Sequence, residues 1–504
     1  MAHCSADLII RNGTLVTAAD TFQADLAIVG DQISALGQQL DAPGASVVDA
    51  RGLLVMPGGI DPHVHLQYPQ GPQRVVSSDD WFTGTVAAAC GGTTTVIDFV
   101  EAPPDETWMQ AFERRLAAAD PQAAIDYGFH MTFNRADARS LGEATDVIQA
   151  GMPSFKIYTA YDGLRLTDAE MLLALGQLKK HGGLPIVHAE NHDVINHLVA
   201  GCLRSGRREP RWHPTTRPAA AEAEAVYRAL MLAGLVDLPM HIVHVSAACA
   251  LEVMLEFLER GQTVTGEVCP QHLLLTDAVY EQPGFEPARH VMAPPLRTAD
   301  DCEALWQGLA GNLLACVVTD HCPFTLAQKR GERRTPEFRR LPDGAVKQTA
   351  HEPPWSDGLP DFSQIPGGAP GIETRMALLF HFGVRQGRLS LNQLVNVTST
   401  AAARLFGLYP QKGALAPGAD ADLVLFDPSR NVTISAVSLH QNCDYTPYEG
   451  WSVAGWPRSV LSRGQVIVQD GRFVGAAGRG RYLKRTPVLP SAGGEVNPWN
   501  WPNS

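Results

Sequence analysis

The chain has 504 residues, of which 45% are hydrophobic and 18% are charged, and its formal net charge at pH 7 is −13. This composition is typical of a globular enzyme, and the length favours two domains or one barrel with an appended module. The acidic balance, without a long basic run, argues against a surface that follows nucleic-acid phosphates. No apolar stretch approaches the length of a membrane span, so we expect neither nucleic acid nor membrane as a partner.

The nine cysteines are scattered and form no CxxC pair. This usage argues against a secreted disulfide framework and favours a reducing compartment. The first ten residues, MAHCSADLII, lack the basic and apolar regions of a signal peptide. We therefore expect a cytoplasmic protein.

Both ends of the chain contain short β-type runs separated by turn residues. Near the start, Asn12-Gly13 and Gly30-Asp31 are hairpin signals between such runs. The same pattern of short β-type runs and turn residues occurs in residues 412–428 and 456–474. We expect residues 1–56 and 411–485 to form one small β-sandwich domain together, followed by a tail at 486–504.

The intervening residues, 57–410, alternate runs rich in Val, Ile and Phe with helical stretches rich in Ala, Leu, Glu and Arg. The eight strand candidates are LLVMPGGID, TTTVIDF, DYGFHMTF, SFKIYTA, LPIVHAE, MHIVHVS, QTVTGEV and LACVVTD. Eight strands with helical connections predict an α/β fold of the (β/α)8 TIM-barrel type, whose usual size is about 250 residues. A doubly wound open sheet is the alternative, but no GxGxxG follows a strand.

Six residues suited to metal chemistry lie where predicted strands end. They are His63, His65, Lys156, His188, His244 and Asp320. His63 and His65 alternate in an extended segment, so both imidazoles face one side. A single histidine at a strand end is most often structural. Six such residues on five strand ends indicate a metal site, because barrel active sites lie at the carboxyl ends of the strands.

Lys156 is the unusual member of this group. An ammonium repels cations, and a lysine with the ordinary pKa of about 10.4 is a poor ligand. The lysine could simply bury its stem and keep its head in water. In the functional interpretation, CO2 carboxylates the ε-amine to N6-carboxylysine, whose two carbamate oxygens bridge two metal ions.

The complete set would suit two divalent ions. Imidazole and carboxylate ligands favour zinc, and manganese or cobalt would also fit them. A two-metal site with open positions is hydrolytic in character, because a bridging water is acidified to hydroxide.

Ten segments resemble, in chain order, those of the dihydropyrimidinase and hydantoinase branch of the amidohydrolase superfamily. They are PGGIDPHVHLQ, GGTTTVIDF, SFKIYTAY, VHAEN, HIVHVS, GEVCPQHLLL, VMAPPLR, VTDHCPF, GAPGIETRM and KGALAPGADADLVLFDP. The resemblance spans nearly the whole chain. It implies that the four histidines bind metal, that Lys156 is carboxylated, and that Asp320 is a catalytic ligand.

The resemblance also implies a reaction. A metal-bridging hydroxide would open dihydropyrimidines or 5-substituted hydantoins to N-carbamoyl amino acids, with Asp320 as general base and then acid. Tyr161 would donate to the developing oxyanion. Ala293 and Gly367 would contact the substrate through main-chain groups, although they replace the family's serine and asparagine. Leu66, Tyr68 and Tyr158 would shape the pocket for the exocyclic substituent.

Several matters stay open at this point. Residues 325–360 form a connection longer than the family norm, which suggests either a lid or a solvated loop. The resemblance implies a homotetramer or a homodimer. The alternative functions are a non-catalytic dihydropyrimidinase-like scaffold and the hydrolysis of another cyclic ureide or imide such as allantoin.

Overall fold

The computed structural model describes residues 2–3, 5–70, 75–331, 339–340, 346–347 and 361–488. Its centre is an eight-stranded parallel sheet in which neighbouring strands follow one another along the chain. A parallel bridge between Val64 and His321 joins its two edges, so the sheet is a nearly closed barrel. The barrel strands are Gly59–Val64, Thr93–Val100, Asp126–Thr132, Ser154–Tyr158, Leu184–His188, Met240–Ile242, Val264–Val268 and Leu314–Val317. The predicted TIM-type barrel is confirmed.

The barrel strands are buried on both faces. Every residue of Thr93–Val100 is buried, for example, which explains why these segments read as continuous apolar runs without alternation. One predicted strand, LLVMPGGID, is divided in the structure. Leu54–Pro57 belongs to the terminal sheet and the barrel begins at Gly59. The break falls at Gly58, where a Cβ would lie 2.0 Å from the Thr94 hydroxyl oxygen.

Helices cover the outside of the barrel. Many begin at a side chain that caps the first turn, and Asp80, Thr107, Thr167 and Thr298 each form a reciprocal capping box. The α-helices are Trp81–Cys90, Trp108–Ala119, Ala138–Gln149, Asp168–His181, His192–Arg204, Ala219–Leu235, Ala248–Glu259, Pro270–Leu274, Ala299–Ala310, Leu326–Lys329, Arg375–Leu378, Leu391–Val395 and Ala401–Leu405. Within the described ranges, no helix is long and apolar enough to cross a membrane.

The two chain ends share one mixed sheet, as predicted. Leu54–Pro57 pairs in parallel with Leu8–Val16 and antiparallel with Leu423–Thr433, so it joins the N-terminal and C-terminal strands. The sheet is built from Leu8–Val16, Thr21–Val29, Gln32–Gly37, Ser46–Asp49, Leu54–Pro57, Leu423–Thr433, Ser452–Ser462, Gln465–Gln469 and Arg472–Phe473.

One of the two hairpin predictions is wrong. Gly30-Asp31 does connect antiparallel strands. Asn12-Gly13 instead lies inside the strand Leu8–Val16, where the register shifts at a bulge. A Cβ on Gly13 would lie 2.5 Å from a Val55 methyl group, so close packing against a neighbouring strand requires this glycine.

A buried ion network lies where the amino end of the barrel meets the terminal sheet. The Lys412 ammonium is 2.6 Å from the Asp126 carboxylate, 2.8 Å from Asp422 and 2.9 Å from Asp420. Arg463 donates to Asp126 at 3.1 Å. Asp126 opens the third barrel strand and Asp422 precedes the strand Leu423–Thr433, so these ion pairs join the two sheets.

The predicted loop at 325–360 is described only in part. It begins with the helix Leu326–Lys329, and the strands Arg339–Arg340 and Val346–Lys347 pair antiparallel. The rest of that prediction, like residues 489–504 of the predicted tail, lies outside the described residues.

Candidate active site

All six predicted metal-site residues meet at the carboxyl rim of the barrel. The Asp320 carboxylate is 3.4 Å from His63 Nε2 and 3.1 Å from His65 Nε2. The Lys156 Nζ atom is 3.3 Å from His63 Nε2. His188 Nδ1 and His244 Nε2 are 2.9 Å apart, and the His244 ring centroid is 5.4 Å from that of His63.

The backbone is unusual at three of the predicted residues. Lys156 and His188 lie within regular strands, but His244 and Asp320 follow strand ends and have φ values of 38° and 50°. Tyr161 has a φ of 76°. Left-handed backbone is unfavourable for residues with a Cβ, and it persists where the surroundings enforce it, often at functional sites.

Buried carboxylates fix the orientation of two of the imidazoles. His63 Nδ1 lies 2.5 Å from Glu267, and His188 Nε2 lies 2.8 Å from Glu190. A ring nitrogen facing a carboxylate carries the proton, so the other nitrogen of each ring presents its lone pair to the cluster. This carboxylate–histidine pairing is the usual arrangement behind a metal-binding histidine.

Three of the rim imidazoles are held neutral. Burial, reinforced by the nearby Lys156 ammonium, puts the pKa of His63 well below its ordinary value. Burial also lowers the pKa of His188 and of His244. Neutral imidazole is the form that binds metal.

Lys156 is fully buried within this group. Its Nζ lies 5.0 Å from the Phe99 ring and 5.2 Å from the Tyr158 ring. Burial lowers its pKa to about 8, although the Asp320 and Glu267 carboxylates oppose that shift. The amine is therefore far easier to deprotonate than an exposed lysine.

Two other groups of potential ligands occur in the described part of the chain, and their chemistry differs. In the group Cys90, Glu373 and His440, the imidazole is 2.8 Å from the glutamate. The Glu373 carboxylate raises the pKa of His440 to about 11, so this ring is protonated and offers no lone pair. The third group contains His241, Glu267 and Cys316 and shares Glu267 with the rim site.

A charged network supports Tyr161, the predicted oxyanion donor. The guanidinium of Arg217 lies 5.4 Å from the Tyr161 ring centroid and forms an ion pair with Glu190. Burial alone would raise the pKa of Glu190, but Arg217 and His188 lower it to about 2. Burial raises the pKa of Tyr161, so its hydroxyl keeps its proton.

The two predicted substrate-binding segments lie side by side. Gly368 N–H donates to the Val291 carbonyl at 2.9 Å, which joins the segment around Gly367 to the segment around Ala293. Ala369 forms a bridge with His321, next to Asp320. Both segments therefore border the rim site.

The sequence analysis assigned no role to Glu190, Glu267 and Arg217. Glu190 lies two residues after His188 and Glu267 is in the seventh barrel strand, so their strand-end positions were available signals. Arg217 lies in an irregular segment, and no local pattern marked it.

Comparison with known proteins places the chain in a family. The sequence profile of the amidohydrolase family matches residues 54–467. The D-hydantoinase of Geobacillus stearothermophilus is 43% identical over 479 residues, covering 95% of this chain and 96% of that protein. The D-phenylhydantoinase of Escherichia coli O1:K1 is 38% identical, covering 96% of this chain and 99% of that protein.

A solved structure agrees with this placement. The crystal structure of dihydropyrimidinase from Brevibacillus agri superimposes with a TM-score of 0.88 at 43% identity, covering 95% of this chain and 98% of that one. Similarity at this level extends over both the barrel and the terminal sheet. The chain belongs to the amidohydrolase family.

Proposed function

We propose that the protein is a metal-dependent cyclic amidase. It opens the rings of dihydropyrimidines or 5-substituted hydantoins by hydrolysis and releases N-carbamoyl amino acids. The observation that carries this proposal is the convergence of four imidazoles, Lys156 and Asp320 on one rim of the barrel. Relatives named D-hydantoinase and D-phenylhydantoinase over nearly the full length of the chain support the substrate class.

Two divalent ions, most suitably zinc, would be held by the rim residues. His63, His65 and Asp320 form one group of ligands, and the neighbouring pair His188 and His244 form the second. Two buried nitrogens, Nδ1 of His65 and Nδ1 of His244, have no hydrogen-bond partner among the described residues. When bound, the ions would acidify water and polarise the scissile carbonyl.

Lys156 would join the two groups as N6-carboxylysine. The ammonium first loses a proton, and the neutral amine then attacks CO2. A C–N bond forms as one C=O π bond breaks, and a second proton leaves the nitrogen, so that a cation becomes an anionic carbamate. The Nζ atom is already within 3.3 Å of His63 Nε2, which faces it with a lone pair. As a cation, Lys156 would repel the ions that the surrounding ligands are suited to bind.

Asp320 is suited to move the proton in this reaction. Its side chain keeps 18% of its surface exposed, whereas His63 beside it is almost completely buried. The carboxylate can therefore reach both the ligand cluster and the space where a substrate enters. It would accept the proton of the attacking water and deliver it to the leaving ring nitrogen.

Tyr161 would stabilise the negative charge that develops on the carbonyl oxygen. Its hydroxyl stays protonated and can donate a hydrogen bond. The Arg217 guanidinium against its ring restricts the orientation of the side chain. A positioned donor of this kind contributes roughly 10²- to 10³-fold to turnover in other enzymes.

Main-chain groups at Ala293 and Gly367 would orient the cyclic amide. Gly367 is itself fixed, because the Gln70 side chain donates to its carbonyl at 2.7 Å. Tyr68 lies 4.8 Å from His65 between ring centroids, and Tyr158 lies 5.6 Å from His188. Together with buried Leu66, these residues would shape the pocket for the substituent.

We further propose a cytoplasmic homotetramer. All eight cysteines within the described ranges are free, which suits a reducing compartment. Tyr227, Met231 and Leu235 are exposed at four-residue spacing on one face of the helix Ala219–Leu235. Light scattering of the wild type and of Leu235→Glu would test this face, because an unchanged tetramer in the variant would exclude it.

The function is tested by ring-opening rates of dihydrouracil and 5-phenylhydantoin on one preparation with assayed metal content. A preference for dihydrouracil would assign pyrimidine substrates, and a preference for the aryl hydantoin would assign a pocket for bulky substituents. A preparation with two metal ions per chain that opens neither ring would contradict the proposal.

A further inference from the structure

Two main-chain segments border the rim site, residues 291–294 and 366–369. They are the segments to which the proposed function assigns contact with the substrate. Apart from the single bond between Gly368 and Val291, separate elements hold them. His213 Nε2 donates to the Met292 carbonyl at 2.7 Å, and Gln70 donates to the Gly367 carbonyl. Their relative spacing therefore needs a further constraint.

Lys329 supplies a contact to both segments. Its Nζ atom donates to the carbonyl oxygens of Val291 at 3.1 Å, Pro366 at 3.0 Å and Gly368 at 2.9 Å. In its protonated form, Lys329 has three N–H donors, and these three bonds use all of them. Two of the acceptors flank Gly367 directly, and the third lies two residues before Ala293.

The lysine is an unusual residue for this position. Its side chain is fully buried, and the three groups that accept its hydrogen bonds are main-chain carbonyls. Burial lowers its pKa to about 7, which means that keeping this ammonium charged inside the folded protein costs free energy. Lys412 is equally buried but lies among three aspartates. The contrast suggests that the geometry of its bonds, rather than ion pairing, explains Lys329.

The helix that carries Lys329 is itself anchored. Thr325 caps it together with Gln328, and the Gln328 side chain donates to the Val76 carbonyl at 2.8 Å. Leu326 N–H donates to Asp444 at 3.0 Å. The ammonium therefore extends from a fixed support to both segments.

We propose that Lys329 is a positioning residue for the cyclic amide, and that its three hydrogen bonds set the spacing between the main-chain groups at Ala293 and Gly367. It touches neither the substrate nor the metal ligands. This inference rests on the proposed function, because it concerns how that substrate is held. According to this inference, the hydrogen bonds of buried Lys329 contribute to the affinity for the cyclic amide.

The test compares steady-state kinetics of Lys329→Met, Lys329→Arg and Lys412→Met with wild type, at equal metal content and with dihydrouracil or 5-phenylhydantoin, whichever the wild type opens. Lys329→Met keeps the side-chain length but removes every donor. We expect its kcat/KM to fall by roughly 10- to 100-fold, mainly through KM, because a misplacement of about 1 Å is costly in an active site. Lys329→Arg, which retains donors, should recover part of that loss.

The matched control separates positioning from stability. Lys412→Met removes an equally buried lysine at the other end of the barrel, so it should lower the melting temperature and leave KM unchanged. A kcat/KM and KM for Lys329→Met within about twofold of wild type would overturn the inference, as would an equal rise of KM in Lys412→Met.

Two further outcomes are also decisive. If Lys329→Met does not fold, Lys329→Gln, which retains two N–H donors, is measured instead. A KM above that of wild type would support positioning, whereas a wild-type KM would overturn it. A wild type that opens neither ring would contradict the proposed function itself, before any variant is compared.

Discussion

The two ends of the barrel bury charged side chains in opposite ways. At the amino end, the Lys412 ammonium lies among the carboxylates of Asp126, Asp420 and Asp422, and those aspartates raise its pKa. At the carboxyl rim, Lys156 lies beside imidazole lone pairs, and burial lowers its pKa to about 8. At the amino end, the buried charges are paired with opposite charges of the protein itself. At the rim, imidazole lone pairs are available to bind a cation.

The contrast between Lys412 and Lys156 distinguishes a structural ion network from a functional site. Buried charges that serve stability are paired with opposite charges. Buried groups that serve chemistry leave ligand atoms unpaired, and their pKa values shift towards the form that reacts, as the lowered pKa of Lys156 shows. In a TIM-type barrel the same division falls along the axis, with stability at the bottom and catalysis at the top.

The largest expected effect is at the rim. Asp320→Asn keeps the shape of the side chain but removes the negative charge and the ability to accept a proton. We expect kcat to fall by roughly 10³-fold, within the range for loss of a general base, while the circular dichroism spectrum stays unchanged. A variant that retains a tenth of the wild-type rate at full metal content would exclude Asp320 as the proton carrier.

The next effect is at the amino end. Lys412→Met removes the cation that three buried carboxylates share, although Asp126 keeps its hydrogen bond from Arg463. Breaking a buried ion network in this way costs about 3–5 kcal/mol. We expect a lower melting temperature and a lower urea midpoint, with kcat/KM of the folded fraction unchanged. Exposed Lys180→Met is the control and should change stability by no more than about 0.5 kcal/mol. Unchanged stability in Lys412→Met would contradict the claim that the ion network at the amino end stabilises the fold.

A third experiment examines the support behind the rim ligands. Glu267→Gln removes the charge that fixes His63, 2.5 Å away, without removing a ligand. Loss of such a partner typically weakens metal affinity by roughly 10- to 100-fold. Competition with a chelator, followed by metal analysis, measures this affinity. An unchanged affinity would mean that the lone pair of His63 does not depend on Glu267.

The smallest effect concerns pH. Burial lowers the pKa of His213 to about 3, below the value of about 6.5 in an unfolded chain. Its contribution to stability is therefore complete above pH 6.5 and is lost as the pH falls from 6.5 towards 3, by about 2 kcal/mol at pH 5. His213→Gln keeps an N–H donor for the Met292 carbonyl but does not titrate. We expect the drop in melting temperature between pH 7 and pH 5 to be smaller in this variant; an equal drop would contradict the assignment.

Much of the fold could be read from local patterns. Each barrel strand is a short and largely apolar run, because both of its faces are buried, and the rim residues lie within those runs or shortly after them. The alternation of apolar runs with helical stretches thus predicted the barrel, and the family resemblance added the roles of His63, Lys156 and Asp320. The local pattern gave a wrong prediction at Asn12-Gly13, which has the sequence of a hairpin turn but lies inside a strand, where the glycine permits close packing. It also failed at Gly58, where one apolar run supplies strands to two different sheets.

Local sequence patterns and the family resemblance were enough to predict the barrel, the candidate ligands and a hydrolytic reaction. The groups that orient and support those ligands are identified only in the folded chain. His63 and Glu267 are 204 residues apart, and Lys412 and Asp126 are 286 apart. Lys329 contacts carbonyls 37 to 39 residues away on both sides of it. Such pairings arise when the barrel closes and brings distant strand ends together, and no local periodicity encodes which side chains then meet.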